Sequence, residues 1–141
     1  MKKVKVLIAD DHAVVRNGIK SMLQSRNDIE VIGEAENGLE AMEKCTELQP
    51  DVLLLDIAMP ALSGLEAIKM VKSEAPAVAV VILSMHDNDA YIQKVLKSGA
   101  LGYVLKASPA SEIHEAIIAA SRGKYYLSED IRDKVVSGYL N

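Results

Sequence analysis

Five short apolar runs alternate along this chain with five segments of helical periodicity, and this alternation restricts the fold more than any other feature. The runs are Val4 to Ala9, Ile29 to Ala35, Val52 to Asp56, Val78 to Ser84 and Gly102 to Leu105. The helical faces carry Val15, Ile19 and Leu23, then Leu39 and Met42, Leu65 and Ile68, Ile92, Val95 and Leu96, and Ile113 and Ile117. Strands that alternate with helices form a parallel sheet covered on both faces. The sequence therefore predicts an α/β fold with a five-stranded, doubly wound parallel sheet.

Three helix starts carry capping signals. Asn37 with Glu40, and Ser63 with Glu66, have the spacing of a capping box. Ser108 followed by Pro109 is typical of an N-cap and a first helical residue. These signals predict where the second, third and fifth helices begin.

Carboxylates follow two of the apolar runs. Asp10 and Asp11 come directly after the first run, and Asp56 closes the third. In open parallel sheets, ligands bind beyond the carboxyl ends of the strands, where these side chains would meet. Carboxylates that converge repel one another unless a cation lies among them. The pattern predicts a cation site, or a nucleophile beside one.

The composition fits one globular domain and excludes several functions. The chain has 141 residues, of which 50% are hydrophobic and 26% charged. A net charge of -4, with no basic stretch, gives no surface for a nucleic-acid backbone. Cys45 is the single cysteine, so we expect a buried apolar side chain in a reducing compartment. The apolar stretches are too short to span a bilayer, which predicts a soluble, cytoplasmic protein without a membrane partner.

Several motifs keep a characteristic order and spacing: Asp10-Asp11, Asp56-Ile-Ala-Met-Pro with Gly64, Ser84, and Gly99-Ala-Leu-Gly-Tyr-Val-Leu-Lys106. From about Val4 to about Arg122, the chain resembles the receiver domain of bacterial two-component response regulators. Finer features are similar to the NarL/FixJ, or LuxR-type, branch: Asp11-His12, Met59-Pro60 with Gly64-Leu65, and Gly123-Lys-Tyr-Tyr-Leu-Ser. The resemblance implies a flavodoxin-like sheet of strand order 2-1-3-4-5.

The carboxylates suit phosphoryl transfer. Asp56 as a nucleophile would form an acyl phosphate, an attack that brings two anions together and therefore needs a divalent cation. Asp10 and Asp11 suit Mg²⁺, a hard ion that prefers oxygen ligands. The resemblance adds the backbone carbonyl of Ala58 to this metal site, together with Asp56 itself.

Further roles follow from the resemblance. Lys106 would pair with the phosphoryl oxygens, and the Ser84 hydroxyl would donate to another of them. Tyr103 would move with Ser84 when the switch is activated. Ala58 and His86 would flank the path of water to the acyl phosphate and so modulate its lifetime.

Each of these residues also has a plainer interpretation. Asp11 alone is most simply the N-cap of the first helix, and a lone lysine such as Lys106 is usually solvated. Ser84 could cap the helix that follows it, and Tyr103 could be a half-buried strand residue. The three histidines have no metal-ligand spacing, so we expect no histidine in the metal site.

Three rival functions fit the sequence less well. A phosphatase of the haloacid dehalogenase type needs a second Asp two residues after the nucleophile, where this chain has Ala58. A nucleotide-binding domain needs a glycine-rich loop after the first strand, where this chain has acids. A degenerate receiver that acts purely as a scaffold would have lost a catalytic residue. We therefore expect a protein that catalyses only its own phosphorylation and autodephosphorylation.

The chain divides into a predicted receiver, residues 1-122, and residues 123-141. The second segment reads as a linker with a short amphipathic helix, in which Leu127, Ile131 and Val135 share one face. It would lead toward an output domain, or pack on its own domain. The expected partners are a sensor histidine kinase, a second copy after phosphorylation, and DNA through an absent helix-turn-helix output domain that controls transcription. The alternative is a stand-alone receiver that acts through protein-protein contacts.

Overall fold

The computed structural model describes residues 2–57, 64–85 and 89–140, which form one parallel sheet with helices. The elements in chain order are β1 (Val4–Ala9), α1 (Ala13–Gln24), β2 (Ile29–Ala35), α2 (Gly38–Leu48), β3 (Val52–Asp56), α3 (Gly64–Glu74), β4 (Ala79–Ser84), α4 (Asp89–Lys97), β5 (Gly102–Leu105), α5 (Ala110–Ser121), β6 (Tyr126–Leu127) and α6 (Glu129–Leu140). Across the described ranges, every helix falls short of the length and apolar character that a membrane crossing requires.

The strand order is β2-β1-β3-β4-β5-β6, and all neighbours are parallel. The predicted α/β class and the order 2-1-3-4-5 are therefore confirmed. The predicted number of five strands is one too few, because β6 extends the sheet beyond β5. β4 begins one residue later than predicted, because the Val78 N–H donates to the Ala75 carbonyl in the preceding turn.

Helices cover both faces of the sheet, as predicted. Alternate residues of the central strands point to opposite faces, so Leu53 packs in the core under α2, α3 and α4. Its neighbour Leu54 packs in the second core, under α1 and α5. Burial on both faces explains why β3 and β4 are continuous aliphatic runs without polar alternation. Val15 and Leu39, predicted on buried helical faces, are 37% and 49% exposed, and both lie in the first turn of their helix.

Of the three capping predictions, one is confirmed, one is wrong, and one falls on Ser63, which lies outside the described residues. The Asn37 side chain accepts a hydrogen bond from the Glu40 N–H at 2.8 Å and caps α2. Ser108 does not cap α5, which begins after Pro109 without a side-chain cap. Instead, its hydroxyl lies 3.3 Å from that of Ser128. Cys45 is fully buried in α2, as predicted.

The short strand β6 continues the sheet past β5. Tyr126 pairs with Gly102, and Leu127 pairs with Tyr103. The pairing is prolonged by a side chain, because the Ser128 hydroxyl accepts the Leu105 N–H at 3.0 Å. The segment after residue 122 therefore shares backbone hydrogen bonds with the rest of the sheet.

The helix α6 packs on the domain from which it emerges. Ile131 is fully buried and belongs to the same core as Tyr103. Leu127 and Val135 are partly buried against that core, so the predicted apolar stripe faces inward. Of the two interpretations open for this helix, packing on its own domain matches these contacts.

Candidate functional site

The three predicted carboxylates meet at one edge of the sheet. Ala9 lies opposite Leu55 in the register of β1 and β3, so Asp10 and Asp56 follow side by side. Their exposed fractions are 1% and 2%. One ligand atom from each of Asp10, Asp11, His12 and Asp56 lies within 4.8 Å of the others. The geometry brings together the acids that the strand ends predicted and adds His12, which was not expected in this group.

Asp10 is oriented by the start of α1. Its Oδ1 accepts the His12 N–H at 2.8 Å, whereas its buried Oδ2 accepts no hydrogen bond. Asp11 is more exposed, and its Oδ1 lies 2.9 Å from His12 Nδ1. The N-cap residue of α1 is His12, so the plainer interpretation of Asp11 as the cap is wrong. A buried carboxylate oxygen that accepts no hydrogen bond is the kind of atom that a bound cation satisfies.

Lys106 contacts two of the carboxylates. Its Nζ lies 3.0 Å from Asp56 Oδ2 and 3.6 Å from Asp10 Oδ2. Burial alone would lower the pKa of Lys106, but the hydrogen bond and charge of Asp56, aided by Asp10, outweigh burial and raise it. Lys106 is therefore a charged member of the site and not a solvated surface lysine.

Pairing between β4 and β5 sets the position of Lys106. Ser84 lies opposite Leu105, and the Lys106 N–H donates to the Ser84 carbonyl at 2.8 Å. Ser84 itself is fully buried at the end of β4. Tyr103 on β5 is also fully buried, and not half-buried as the plainer interpretation had it.

Part of the predicted site lies outside the described residues. Ala58, whose carbonyl was assigned to the metal, and His86 are both in this category. On the near side of the first gap, Ile57 packs tightly against Gly64, the first residue of α3. A Cβ at Gly64 would lie 2.2 Å from Ile57 Cγ1, so a larger residue would push α3 away from the end of β3.

Arg16 is a second neighbour of the site, besides His12, that the sequence did not predict. Its Nη1 donates to the backbone carbonyl of Asp10 at 2.6 Å, and its Nε contacts Glu34 at 3.2 Å. In the sequence, Arg16 directly follows Val15, which was assigned to a buried helical face. A basic residue in the first turns of a helix carries no sign that it bonds to the preceding strand.

Comparison with known proteins identifies the family. Residues 6–118 match the family described as the response regulator receiver domain. This chain belongs to that family. A receiver is a signalling switch of two-component systems, and its flavodoxin-like fold is the one described above.

Two comparisons place the receiver in the NarL/FixJ branch. It is 41% identical over 134 residues to the transcriptional regulatory protein LiaR of Bacillus subtilis, covering 95% of this chain and 64% of LiaR. A LuxR-family response regulator from Aurantimonas superposes with a TM-score of 0.94 at 29% identity, covering 99% of this chain and 100% of that one.

A third comparison concerns a receiver solved by itself. The isolated receiver domain of RcsB from Salmonella enterica, solved with the phosphomimetic BeF₃⁻, superposes with a TM-score of 0.87 at 29% identity. The match covers 95% of this chain and 99% of that one. The chain covers a smaller share of the curated relatives LiaR and NreC, namely about 64% of their length.

Proposed function

We propose that this receiver accepts a phosphoryl group from a sensor histidine kinase onto Asp56 and thereby changes its interaction surface. The observation that carries the proposal is the pairing of Asp56 with Lys106 at 3.0 Å, beside Asp10, at the carboxyl end of β3. A nucleophilic carboxylate, a fixed ammonium group and an acidic cluster are the parts that phosphoryl transfer to a side chain requires.

Mg²⁺ fits the acidic group as a cofactor. The Asp10 Oδ2 is buried and accepts no hydrogen bond, and the oxygens of Asp11 and Asp56 lie nearby. Carboxylate oxygens are the ligands that Mg²⁺ prefers, whereas the imidazole of His12 suits softer metals. The proposed ligands are Asp10, Asp11, Asp56 and, on the family resemblance, the carbonyl of Ala58. When bound, the ion would offset the repulsion between the phosphoryl group and Asp56.

The proposed step transfers phosphorus between two side chains. An oxygen of Asp56 forms a bond to phosphorus while the bond from phosphorus to the ring nitrogen of the kinase phosphohistidine breaks. The electron pair of that bond remains on the histidine nitrogen, which takes up a proton. Lys106 and the Ser84 hydroxyl would donate to the phosphoryl oxygens. The protein catalyses only this step and the later hydrolysis, with no external substrate turned over.

Ser84 and Tyr103 form the proposed switch. A phosphoryl group on Asp56 would draw the Ser84 hydroxyl toward it, and Tyr103 would move into the space released. Both side chains are fully buried on adjacent strands, so displacement of one changes the packing around the other. The equilibrium between the two arrangements would then shift on the face formed by the last two strand-helix units of the receiver, β4 with α4 and β5 with α5.

Ala58 and His86 are proposed to set the lifetime of the acyl phosphate. An alanine two residues after the nucleophile cannot orient a water, whereas a neutral histidine can do so. Slow hydrolysis that accelerates in Ala58→Asn is the expected result. Equal decay of the phosphoprotein in wild type and Ala58→Asn would contradict the role of Ala58.

Control of transcription is the output that the relatives favour. LiaR is a transcriptional regulatory protein, and RcsB has been solved as dimers bound to DNA. For this chain, DNA would be reached through a helix-turn-helix output domain beyond the receiver, with a phosphorylation-linked homodimer as the active form. The alternative is a stand-alone receiver that signals through protein contacts. A gel shift with phosphorylated residues 1–141 should show no specific DNA binding on either view, and tight sequence-specific binding would contradict both.

Phosphorylation of Asp56 can be tested directly. The protein is incubated with Mg²⁺ and a small phosphodonor such as phosphoramidate, and the intact mass is then measured. A gain of about 80 Da that maps to Asp56 and is lost in Asp56→Ala is expected. The absence of a gain, or a gain that survives in Asp56→Ala, would refute the proposed function.

A further inference from the structure

Arg16 ties the end of β1 to β2 through a single guanidinium group. Its Nη1 donates to the Asp10 carbonyl at 2.6 Å, its Nε contacts Glu34 Oε1 at 3.2 Å, and its Nη2 lies 3.6 Å from Glu36 Oε1. The Arg16 side chain is 11% exposed, so its bonds to Asp10 and Glu34 are partly shielded from solvent, whereas Glu36 is 69% exposed. Partly buried hydrogen bonds to a charged group fix a direction better than fully exposed ion pairs, which exchange with water.

The bond to the Asp10 carbonyl fixes one particular peptide plane. Asp10 is already bound on its other side, because its N–H donates to the Ala35 carbonyl at the end of β2. The carbonyl that Arg16 holds belongs to the peptide group that joins Asp10 to Asp11. Its orientation sets the direction in which the Asp11 side chain leaves the backbone.

Glu34 is in turn held in place for Arg16. Lys20 Nζ contacts Glu34 Oε2 at 3.2 Å, and Lys44 donates to the Glu34 carbonyl. Burial alone would raise the pKa of Glu34, but the hydrogen bonds and charges of Lys20 and Arg16 outweigh burial and lower it. Glu34 therefore remains an anion that anchors the guanidinium.

We infer that Arg16 is a positioning residue of the cation site, which holds the Asp10–Asp11 peptide so that both carboxylates face one ion. The inference rests on the proposed magnesium site and assigns a role outside its ligands. Partners that orient metal ligands typically change affinity by about 10- to 100-fold when removed.

The sign of the effect separates this role from a simple effect of charge. Removal of the positive charge of Arg16 leaves Glu34 and Glu36 uncompensated, and by Coulomb attraction alone Mg²⁺ would bind more tightly. Loss of positioning acts in the opposite direction. Lys20→Met is the matched control, because Lys20 shares Glu34 but has no contact with Asp10 among the described residues.

The test is an Mg²⁺ titration of Arg16→Met, Lys20→Met and wild type, followed by amide NMR. The dissociation constant should rise about 10-fold or more in Arg16→Met and stay equal or fall in Lys20→Met. Without metal, the Asp11 amide should shift in Arg16→Met and not in Lys20→Met. Unchanged or tighter Mg²⁺ binding by Arg16→Met would overturn the inference.

Three further results keep the test decisive. If Arg16→Met is unfolded, Arg16→Lys takes its place, since an ammonium cannot hold Asp10 and Glu34 with the same fork; wild-type affinity in Arg16→Lys would also overturn the inference. If the wild-type protein shows no response to Mg²⁺, the magnesium site itself is refuted. If the wild type responds to Mg²⁺ and all variants bind the ion with equal affinity, only the role of Arg16 is refuted and the magnesium site stands.

Discussion

The ammonium group of Lys106 lies between two buried carboxylates, 3.0 Å from Asp56 Oδ2 and 3.6 Å from Asp10 Oδ2. Without a metal ion, Lys106 is therefore a positive charge that offsets the repulsion between these two carboxylates. A divalent cation would act on the same oxygens, so before phosphorylation Lys106 and the cation would both offset the repulsion between the carboxylates. After phosphorylation, Lys106 would pair with the phosphoryl oxygens, whereas the cation would offset the repulsion between the phosphoryl group and Asp56.

Lys106→Met should decrease stability and phosphorylation together. Two buried carboxylates lose their cationic partner, which we expect to cost about 1–3 kcal/mol of unfolding free energy without Mg²⁺. Mg²⁺ should then stabilise the variant more than it stabilises wild type. The phosphorylation rate should fall about 100-fold, since one charged donor to the phosphoryl group is lost. Urea unfolding with and without Mg²⁺ measures the first effect, with the exposed Lys94→Met as control.

Asp11→Asn and Asp10→Asn should each abolish most of the stabilisation by Mg²⁺. A neutral amide replaces a charged ligand in a site that attracts its ion mainly by charge. Removal of a carboxylate also relieves repulsion, so the melting temperature without metal should rise. Thermal melts across an Mg²⁺ series test both statements, with the exposed Asp133→Asn as control. If the variants keep the wild-type response to Mg²⁺, these residues do not bind the ion.

Ser84→Ala should separate phosphorylation from switching. The nucleophile and Lys106 remain, so Asp56 should still take up the phosphoryl group or its mimic beryllofluoride. The hydroxyl that draws the switch is absent, so the amide spectra around Tyr103 should change less than in wild type. Ser121→Ala, whose hydroxyl bonds within α5, is the control. Equal spectral changes in all three proteins would show that Ser84 does not couple to Tyr103.

The pair of His114 and Asp28 predicts a pH dependence of stability. The hydrogen bond from His114 lowers the pKa of Asp28 below its ordinary value, with smaller help from the charge of Arg26. A lowered pKa contributes stability that is present above the unfolded-state value and is lost as the pH falls through the folded value. Asp28→Asn should therefore be less stable than wild type near pH 6, by under about 1 kcal/mol because the carboxylate is partly exposed.

The same difference should shrink below about pH 4, where wild type also loses the ionised carboxylate. Unfolding midpoints in urea between pH 3 and pH 6 provide the measurement. A difference that stays constant across that range would mean that the pair adds nothing to the acid dependence.

Cys45 should be inert in the folded protein. Burial raises the pKa of the thiol to about 12, so the reactive thiolate is scarce at neutral pH. Labelling should require unfolding and should proceed at least about 1000-fold more slowly in buffer than in denaturant. Because the chain has a single cysteine, mass spectrometry reports this site alone. Rapid labelling under native conditions would show that α2 opens locally.

The sequence was sufficient to predict those elements whose residue pattern is set by burial. Strands such as β3 and β4 are buried on both faces, so an unbroken aliphatic run marks them without reference to the rest of the chain. The acids Asp10 and Asp56 could be placed together because parallel strands end at one edge of a sheet. Both inferences use local sequence patterns that by themselves indicate where a residue lies in the fold.

Contacts between distant segments could not be predicted in this way. A two-residue strand such as β6 has no periodicity, and its pairing with β5 depends on how α5 returns the chain to the sheet. Ser108 has the sequence of a helix cap, yet its hydroxyl approaches Ser128, 20 residues away. Arg16 likewise bonds to a backbone carbonyl. Every residue has such a carbonyl, so the sequence does not show which one Arg16 contacts.

The pairing of β6 with β5 also determines where the chain can be cut. Removal of the residues after 122 would take away the partners of the Leu101 and Tyr103 carbonyls and of the Leu105 N–H. The last strand would then present an open edge to solvent beside an uncovered apolar surface, and such edges recruit other chains into mixed sheets and aggregates. A protein engineer who fuses a new effector to this receiver should therefore join it beyond α6.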